Sequence, residues 1–215
     1  YPGSICVSVN DEVVHGIPTR EKIFKEGDVV GIDIGMAYAM ANEQLSITDN
    51  EKLEIRGGKL EVRNHRRPMI TDMAVTIGIG KVSQEAERLM RTTREALEIG
   101  ISVVRSGAHV GDIGRVVAKH FKKNNLGIVR DLAGHGVGYE LHEEPLIPNY
   151  GTKGSGVELK EGMAIAIEPM AMLGGERLVL DADEWTYRTA DHSLAAHFEH
   201  SVAVTREGVE VLTLI

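Results

Sequence analysis

Four carboxylates stand in segments whose other residues are apolar or small: Asp33 in Val30-Gly-Ile-Asp-Ile-Gly35, Asp72 in Thr71-Asp-Met-Ala-Val-Thr76, Glu168 in Ala164-Ile-Ala-Ile-Glu-Pro169, and Glu199 in Phe198-Glu-His-Ser-Val202. Acids in such surroundings need partners, because an isolated buried charge is costly. If each segment is a strand, residues two apart share a face. Gly31 and Gly35 then lie beside Asp33, Ala74 beside Asp72, Ala164 and Ala166 beside Glu168, and Ser201 beside Glu199. All of these neighbours are small, whereas Ile32, Ile34, Ile165, Ile167 and Val202 face the other way. The acidic faces therefore line a space left open for something other than side chains, which is what a metal site requires.

His135 lies in Gly134-His-Gly-Val-Gly138, where glycines are expected to let the backbone turn and bring the imidazole close to a crowded centre. One histidine with several carboxylates makes an oxygen-rich donor set that suits Mn²⁺, Fe²⁺ or Co²⁺ at least as well as Zn²⁺. Four carboxylates exceed the needs of one ion. Two ions sharing bridging carboxylates would balance the charge and could hold a hydroxide between them, the arrangement of paired-metal hydrolases. His15, before Gly-Ile-Pro18, and His142, in His-Glu-Glu-Pro145, sit at sharp turns near these segments and are candidate donors to a developing oxyanion. The chain has nine histidines, and the other six are assigned to surface or scaffold. Cys6, on an expected strand, lacks the helix N-terminus that would activate it and is read as a small core or pocket-wall residue. No Gly-x-Ser-x-Gly elbow and no Walker loop occurs.

The elements that must position these residues are legible in the patterning. Ser4 to His15 alternates around Asn10-Asp11 and reads as a hairpin. Val29 to Ile34 and Ile70 to Ile79 are β-branched runs expected as strands, with others at Met163 to Ile167 and Phe198 to Val204. Helical spacing of Ala86, Leu89, Met90, Leu97, Ile101 and Val104 predicts a helix from Ser83 to Arg105, capped by Ser83 and stopped by Gly107. A second helix starts near Asp112, buries Ile113, Val116, Val117 and Phe121, and ends before Gly127. Strand-rich blocks around central helices give an α+β fold. Between Met40 and Pro68 the chain turns polar, and Leu53 to Val62 reads as a hairpin on Gly57-Gly58 that pairs Ile55 with Leu60 and Leu53 with Val62, a solvated surface flap.

At 215 residues the chain can bury a substantial core without disulfide or metal staples. Although 42% of its residues are hydrophobic, no run of about 18 apolar residues appears, so no membrane span is expected. A net charge of −8 argues against binding nucleic acid through general attraction to phosphate. The single cysteine permits no internal disulfide and fits a cytoplasmic location. Because the sequence starts at Tyr1 without a preceding cap or turn, its natural N-terminal part is expected to be missing.

These motifs resemble the type I methionine aminopeptidases, metallopeptidases of the pita-bread fold. The matches are Cys6-x-Ser-x-Asn10, Val13-x-His15-Gly-Ile-Pro18, Gly27-Asp-Val-Val-Gly-Ile-Asp33, Gly134-His-Gly-Val-Gly138, His142-Glu-Glu-Pro145, Glu161-Gly-Met-Ala-Ile-Ala-Ile-Glu-Pro-Met170, Trp185 leading to Phe198-Glu-His200, and Val204-Thr-x-x-Gly-x-Glu-x-Leu-Thr213. They cover the whole chain apart from the polar stretch. The resemblance implies a single catalytic domain over 1–215 with a curved, mostly antiparallel sheet, helices on one face and pseudo-twofold halves. It implies one metal on Asp33, Asp72 and Glu199 and a second on Asp72, Glu199, His135 and Glu168, with Asp72 and Glu199 bridging. Glu168 would also relay protons for a bridging hydroxide. His142 would contact the scissile peptide, His15 would steady the substrate beyond it, and Tyr1, Cys6, Leu141 and Trp185 would wall the methionine pocket.

The implied activity is removal of the initiator methionine from peptides or nascent polypeptides with a small second residue, by a cytoplasmic monomer with no nucleic-acid or membrane partner. Asp33 and Asp72 are farther apart in sequence than the family's two aspartates, so residues 41–68 read as an inserted flap. Two rivals share the fold. A prolidase or aminopeptidase acting before proline resembles the chain in all five ligands, but usually carries an acid where this chain has His200. A non-catalytic protein-binding module would usually have lost ligands, and none is lost here.

Overall fold

The structure, a computed structural model, describes residues 1–38, 54–56, 59–61 and 68–214. Along the chain run β1 (Cys6–Val9), β2 (Glu12–Val14), β3 (Val29–Tyr38), β4 (Glu54–Arg56), β5 (Lys59–Glu61) and β6 (Met69–Gly78). Two helices follow, α1 (Gln84–Ser102) and α2 (Val110–Lys123), then β7 (Gly127–Ile128), β8 (Ala133–Gly136) and β9 (Glu143–Pro148). The last third holds β10 (Ala164–Ile167), β11 (Met170–Met172), β12 (Leu178–Leu180), β13 (Tyr187–Thr189), β14 (Ala195–His197), β15 (Glu199–Thr205) and β16 (Gly208–Val211). The main sheet is ordered β1-β3-β6-β15-β10-β8-β9, with β16 also on β15, and its pairings are antiparallel. Smaller sheets are β14-β11-β7, β12-β13-β2 and β4-β5.

Both helices cover one face of this sheet. Leu89, Ala96 and Leu97 of α1 and Ile113, Val117 and Phe121 of α2 form one buried cluster with Ile165, Ile167, Val202 and Val204. The bulky sides of β10 and β15 thus face the helices, which leaves their small sides facing away from that core. Ser83 caps α1 as expected, its hydroxyl accepting the Ala86 N–H at 3.1 Å. The helix ends at Ser102 rather than Arg105, because Val103 and Val104 already bond three residues back, to Gly100 and Ile101, in a tightened last turn.

The expected N-terminal hairpin is not one. Its two strands flank a turn at Asn10-Asp11, but β1 pairs with β3 and β2 with β13. The Glu12 carboxylate accepts the Val9 N–H at 2.8 Å across the turn, Asn10 bonds to Val29 and Asp28 beside β3, and Arg188 of β13 donates to Asp11 and Glu12, so each strand is drawn to a different sheet. In the polar stretch, β4 and β5 do pair, with Ile55 opposite Leu60. The proposed Leu53–Val62 pair and the turn at Gly57-Gly58 lie outside the described residues. Among the described residues no helix is long and apolar enough to cross a membrane.

The joint that matters for the site is between β6 and β15. Only Glu199 with Ala74 and His200 with Met73 are in ladder register there. Beyond them, two hydroxyls span the gap. The Ser201 hydroxyl accepts the Asp72 N–H at 2.7 Å and donates to the Asp72 carbonyl at 2.8 Å. The Thr76 hydroxyl likewise accepts the His197 N–H at 2.9 Å and donates to the His197 carbonyl at 2.6 Å. Removing the Ser201 hydroxyl would strand a buried N–H and C=O, a loss of about 1–3 kcal/mol. Ser201→Ala should therefore lower the unfolding free energy by about that amount in guanidinium titrations of the full chain.

Candidate metal centre

Strand register assembles the acids. Cys6, Asp33, Ala74 and Glu199 lie opposite one another across β1, β3, β6 and β15. One step along, Gly35 opposes Asp72, Ser201 holds the Asp72 backbone, and Ala166 faces both Ser201 and His135. The ribbon of β10–β11 with β14–β15 keeps its register across a break, from Ile167 opposite His200 to Met170 opposite His197. Glu168 thereby falls level with Glu199 at the break, where Pro169 has no N–H to continue the ladder. Ala74 and Ala166 occupy the middle of this grid, and their single methyl groups leave the space between the acids unfilled.

The result is three overlapping groups of donor atoms: Asp33, Asp72 and Glu199; His135, Glu168 and Glu199; and Asp72, His135 and His142, each within 4.8 Å of one another. All five expected ligands are therefore brought together, including Asp72, which is far from Asp33 in sequence. Asp72, His135 and Glu199 are buried. The His135 Nδ1 contacts only the Gly136 carbonyl, at 2.9 Å, so Nδ1 carries the proton and Nε2 presents its lone pair toward Asp72 at 3.9 Å and Glu168 at 3.8 Å. The glycines around it serve close approach rather than a turn. A Cβ on Gly134 would stand 2.3 Å from the Ala166 carbonyl, and one on Gly136 would stand 2.2 Å from that of Glu144.

Asp72 Oδ1 and Glu199 Oε1 are buried with no hydrogen-bond partner. Burial, reinforced by Asp33 and Glu168, pushes the Asp72 carboxyl up to about 7. Burial also holds Glu199 well above the usual carboxylate range, with Glu168, Asp72 and Asp33 adding to it. Acids so crowded cannot all ionise without counter-charge. Orphaned carboxylate oxygens, a histidine with its lone pair exposed to them and a space kept clear of side chains together fit divalent cations.

The other expected residues surround this centre. His142 is exposed at its rim, its ring edge-on to His135 with centroids 4.3 Å apart. Burial and then His135 lower its pKa, and burial likewise lowers that of His15, so both rings favour the neutral form. His15, directly after β2, has φ of 57°, a left-handed conformation uncommon outside glycine. On one flank Tyr1 packs edge-on to Trp185, with centroids 5.5 Å apart, and Cys6 adjoins Asp33. The Asp183 carboxylate fixes the Trp185 turn by accepting the N–H groups of Trp185 and Thr186. On the other flank Leu141 closes over Gly35, where a Cβ would meet its Cδ1 at 2.8 Å. Burial, then Asp33, pushes the Cys6 thiol up to about 12, which keeps it protonated and consistent with a wall residue.

Sequence reasoning missed one residue. His197, grouped with surface or scaffold histidines, is 4% exposed and lies inside the centre, its Nε2 3.4 Å from Glu168 and 3.9 Å from Glu199. The alternation that placed Ser201 beside Glu199 also places His197 there, two residues before it, and would have found it.

A curved antiparallel sheet backed by helices, with an acid and histidine cluster on its open side, defines a metal-dependent hydrolase fold. The chain belongs to metallopeptidase family M24, whose model matches residues 61–206. It is 41% identical over 216 residues to a methionine aminopeptidase of Aquifex aeolicus, covering 99% of this chain and 72% of that one. It is 38% identical over 213 residues to that of Mycoplasma capricolum, covering 99% and 74%. A solved methionine aminopeptidase structure from Thermotoga maritima superposes with a TM-score of 0.82 at 40% identity, covering 98% of this chain and 74% of that one. A prolidase from Pyrococcus furiosus, at 20% identity and a TM-score of 0.67 over 99% of this chain and 49% of that one, shares the fold.

The raised acids set a pH dependence. With folded-state pKa values above the unfolded ones, the metal-free folded chain holds protons that the unfolded chain has released. Stability from those protons is present at low pH and is lost as pH rises from the usual carboxylate range through about 7. Cations replace the protons. Saturating Mn²⁺ should therefore raise the melting temperature more at about pH 8 than at about pH 5.5, read by thermal shift against chelator-treated protein.

Proposed function

We infer that this chain is a methionine aminopeptidase that releases an N-terminal methionine from peptides with a small second residue. The observation that carries this is the convergence of Asp33, Asp72, His135, Glu168 and Glu199 in a chain 36–41% identical over its length to methionine aminopeptidases. We assign Asp33, Asp72 and Glu199 to one divalent cation and Asp72, Glu199, His135 and Glu168 to a second, with Mn²⁺, Fe²⁺, Co²⁺ and Zn²⁺ all compatible with the donors. Bound there, the cations would neutralise the acids, polarise the scissile carbonyl and activate water.

The chain's own groups do the rest in this reading. Glu168, at the edge of the centre and less enclosed than Glu199, receives and returns the proton of the attacking water. His142, neutral and at the rim, donates to the carbonyl oxygen of the scissile peptide as negative charge develops there. His15 steadies the peptide beyond that bond. Tyr1, Cys6, Trp185 and Leu141 form a wall suited to an unbranched, polarisable thioether. Crowding beside the centre disfavours a bulky second residue.

Residues 41–68 are read as a surface flap, supported by the β4–β5 pairing on which no ligand falls. A cytoplasmic monomer that meets nascent polypeptides and neither nucleic acid nor membrane completes the reading; the net charge of −8 supports it against nucleic acid and the single free cysteine supports the compartment.

A peptide panel varying the first two residues tests the assignment. Met-Ala and Met-Gly peptides should be cleaved and Met-Leu peptides should not, whereas preferential cleavage before proline whatever the first residue would point to a prolidase. His142→Ala should lower kcat by about 10²–10³-fold with metal content unchanged, since it removes a donor and no ligand.

A further inference from the structure

His197 is held more firmly than a filler residue needs to be. Both its backbone N–H and its carbonyl engage the Thr76 hydroxyl, and this fixes the ring on the acidic side of the ribbon. Its Nε2 is fully enclosed and makes no hydrogen bond in the geometry found here, with Glu168 Oε2 at 3.4 Å and Glu199 Oε2 at 3.9 Å. His135 Nε2 faces carboxylates across the space assigned to a cation, whereas no cation is assigned between His197 Nε2 and Glu168, so the tautomer with the hydrogen on Nε2, a donor, is the favourable one here.

The two oxygens of Glu168 are thereby divided. Oε1 faces His135 Nε2 at 3.8 Å, on the ligand side, and Oε2 faces His197. Asn149 holds the Glu168 backbone carbonyl at 3.0 Å, so the main chain is fixed while the carboxylate can still rotate about its side-chain bonds. The shorter of its two side-chain contacts is the one with His197.

We propose that His197 is a positioning residue: its Nε2–H donates to Glu168 Oε2 and so presents Oε1 toward His135 in a single orientation. This rests on the metal and proton-relay roles assigned to Glu168 above. A carboxylate so held reaches both its ligand position and its proton-transfer position without a rotational search, and hydrogen bonds of this kind to ligating groups typically contribute 10–100-fold in metal affinity or activity. Neither role makes His197 a ligand.

The test compares wild type with His197→Ala, His197→Gln and His197→Met, all as full chains. Co²⁺ is titrated by calorimetry and visible absorption, and Met-Ala peptide turnover is followed in the cobalt-loaded enzymes. His197→Ala should lose about 10–100-fold in kcat, in Co²⁺ affinity or in both, with KM little changed. His197→Gln, whose amide N–H can reach Glu168, should recover most of that loss and bind as many equivalents of Co²⁺ with an unchanged spectrum. If His197→Ala fails to fold by circular dichroism, His197→Met supplies the donor-free comparison for His197→Gln. The proposal is overturned if the donor-free variant matches wild type, if His197→Gln is no better than it, or if His197→Gln loses an equivalent of Co²⁺, which would make His197 a ligand. A wild-type chain that binds no Co²⁺ would instead refute the assigned function.

Discussion

Mutual repulsion among buried carboxylates is the constraint on which this molecule is organised. Asp33, Asp72, Glu168 and Glu199 come together where burial already disfavours charge, and the effect reaches Asp72 and Glu199 as carboxyls raised far above their usual range. Such an arrangement opposes folding unless protons or cations answer it. Other features of the site make sense as ways of keeping the acids together without filling the space between them: alanines at 74 and 166, glycines flanking His135, and a ladder that breaks at Pro169.

The scaffold resists that repulsion from behind. Ile165, Ile167 and Val202, on the reverse of the acid-bearing strands, are locked into the cluster built by α1 and α2. Shifting an acid would therefore disturb close-packed aliphatic contacts. At the joint between β6 and β15, where two residue pairs make up the ladder, Ser201 and Thr76 substitute hydroxyls for missing backbone bonds and fix the main chain at Asp72 and at His197. Stability and site geometry are thus held by the same contacts.

Much of this was legible in the sequence because strand alternation is a local rule. It sorted small from bulky neighbours around each acid correctly, and the cap at Ser83 and the strand at Val29 followed from equally local signals. What alternation could not show is pairing across the sheet. The Asn10-Asp11 turn has the composition of a hairpin, yet Asn10 ties β1 to β3 and Arg188 ties Asp11 and Glu12 to β13, which hands the two strands to different sheets. The glycines beside His135 have the composition of a turn, but the carbonyls they accommodate belong to the neighbouring strands, Ala166 on β10 and Glu144 on β9. His197 was within reach of the alternation rule. It lies one residue before the strand expected at Phe198 to Val204, and the Glu168 carboxylate that gives it a role is far from it along the chain.

The most direct test of the central claim is anomalous diffraction from crystals of the chain loaded with Mn²⁺. The account predicts density for one ion among Asp33, Asp72 and Glu199 and for a second among His135, Glu168 and Glu199, with oxygen and nitrogen ligands at bonding distance. Ions found away from these five residues, or none bound while the cluster stays assembled, would contradict it.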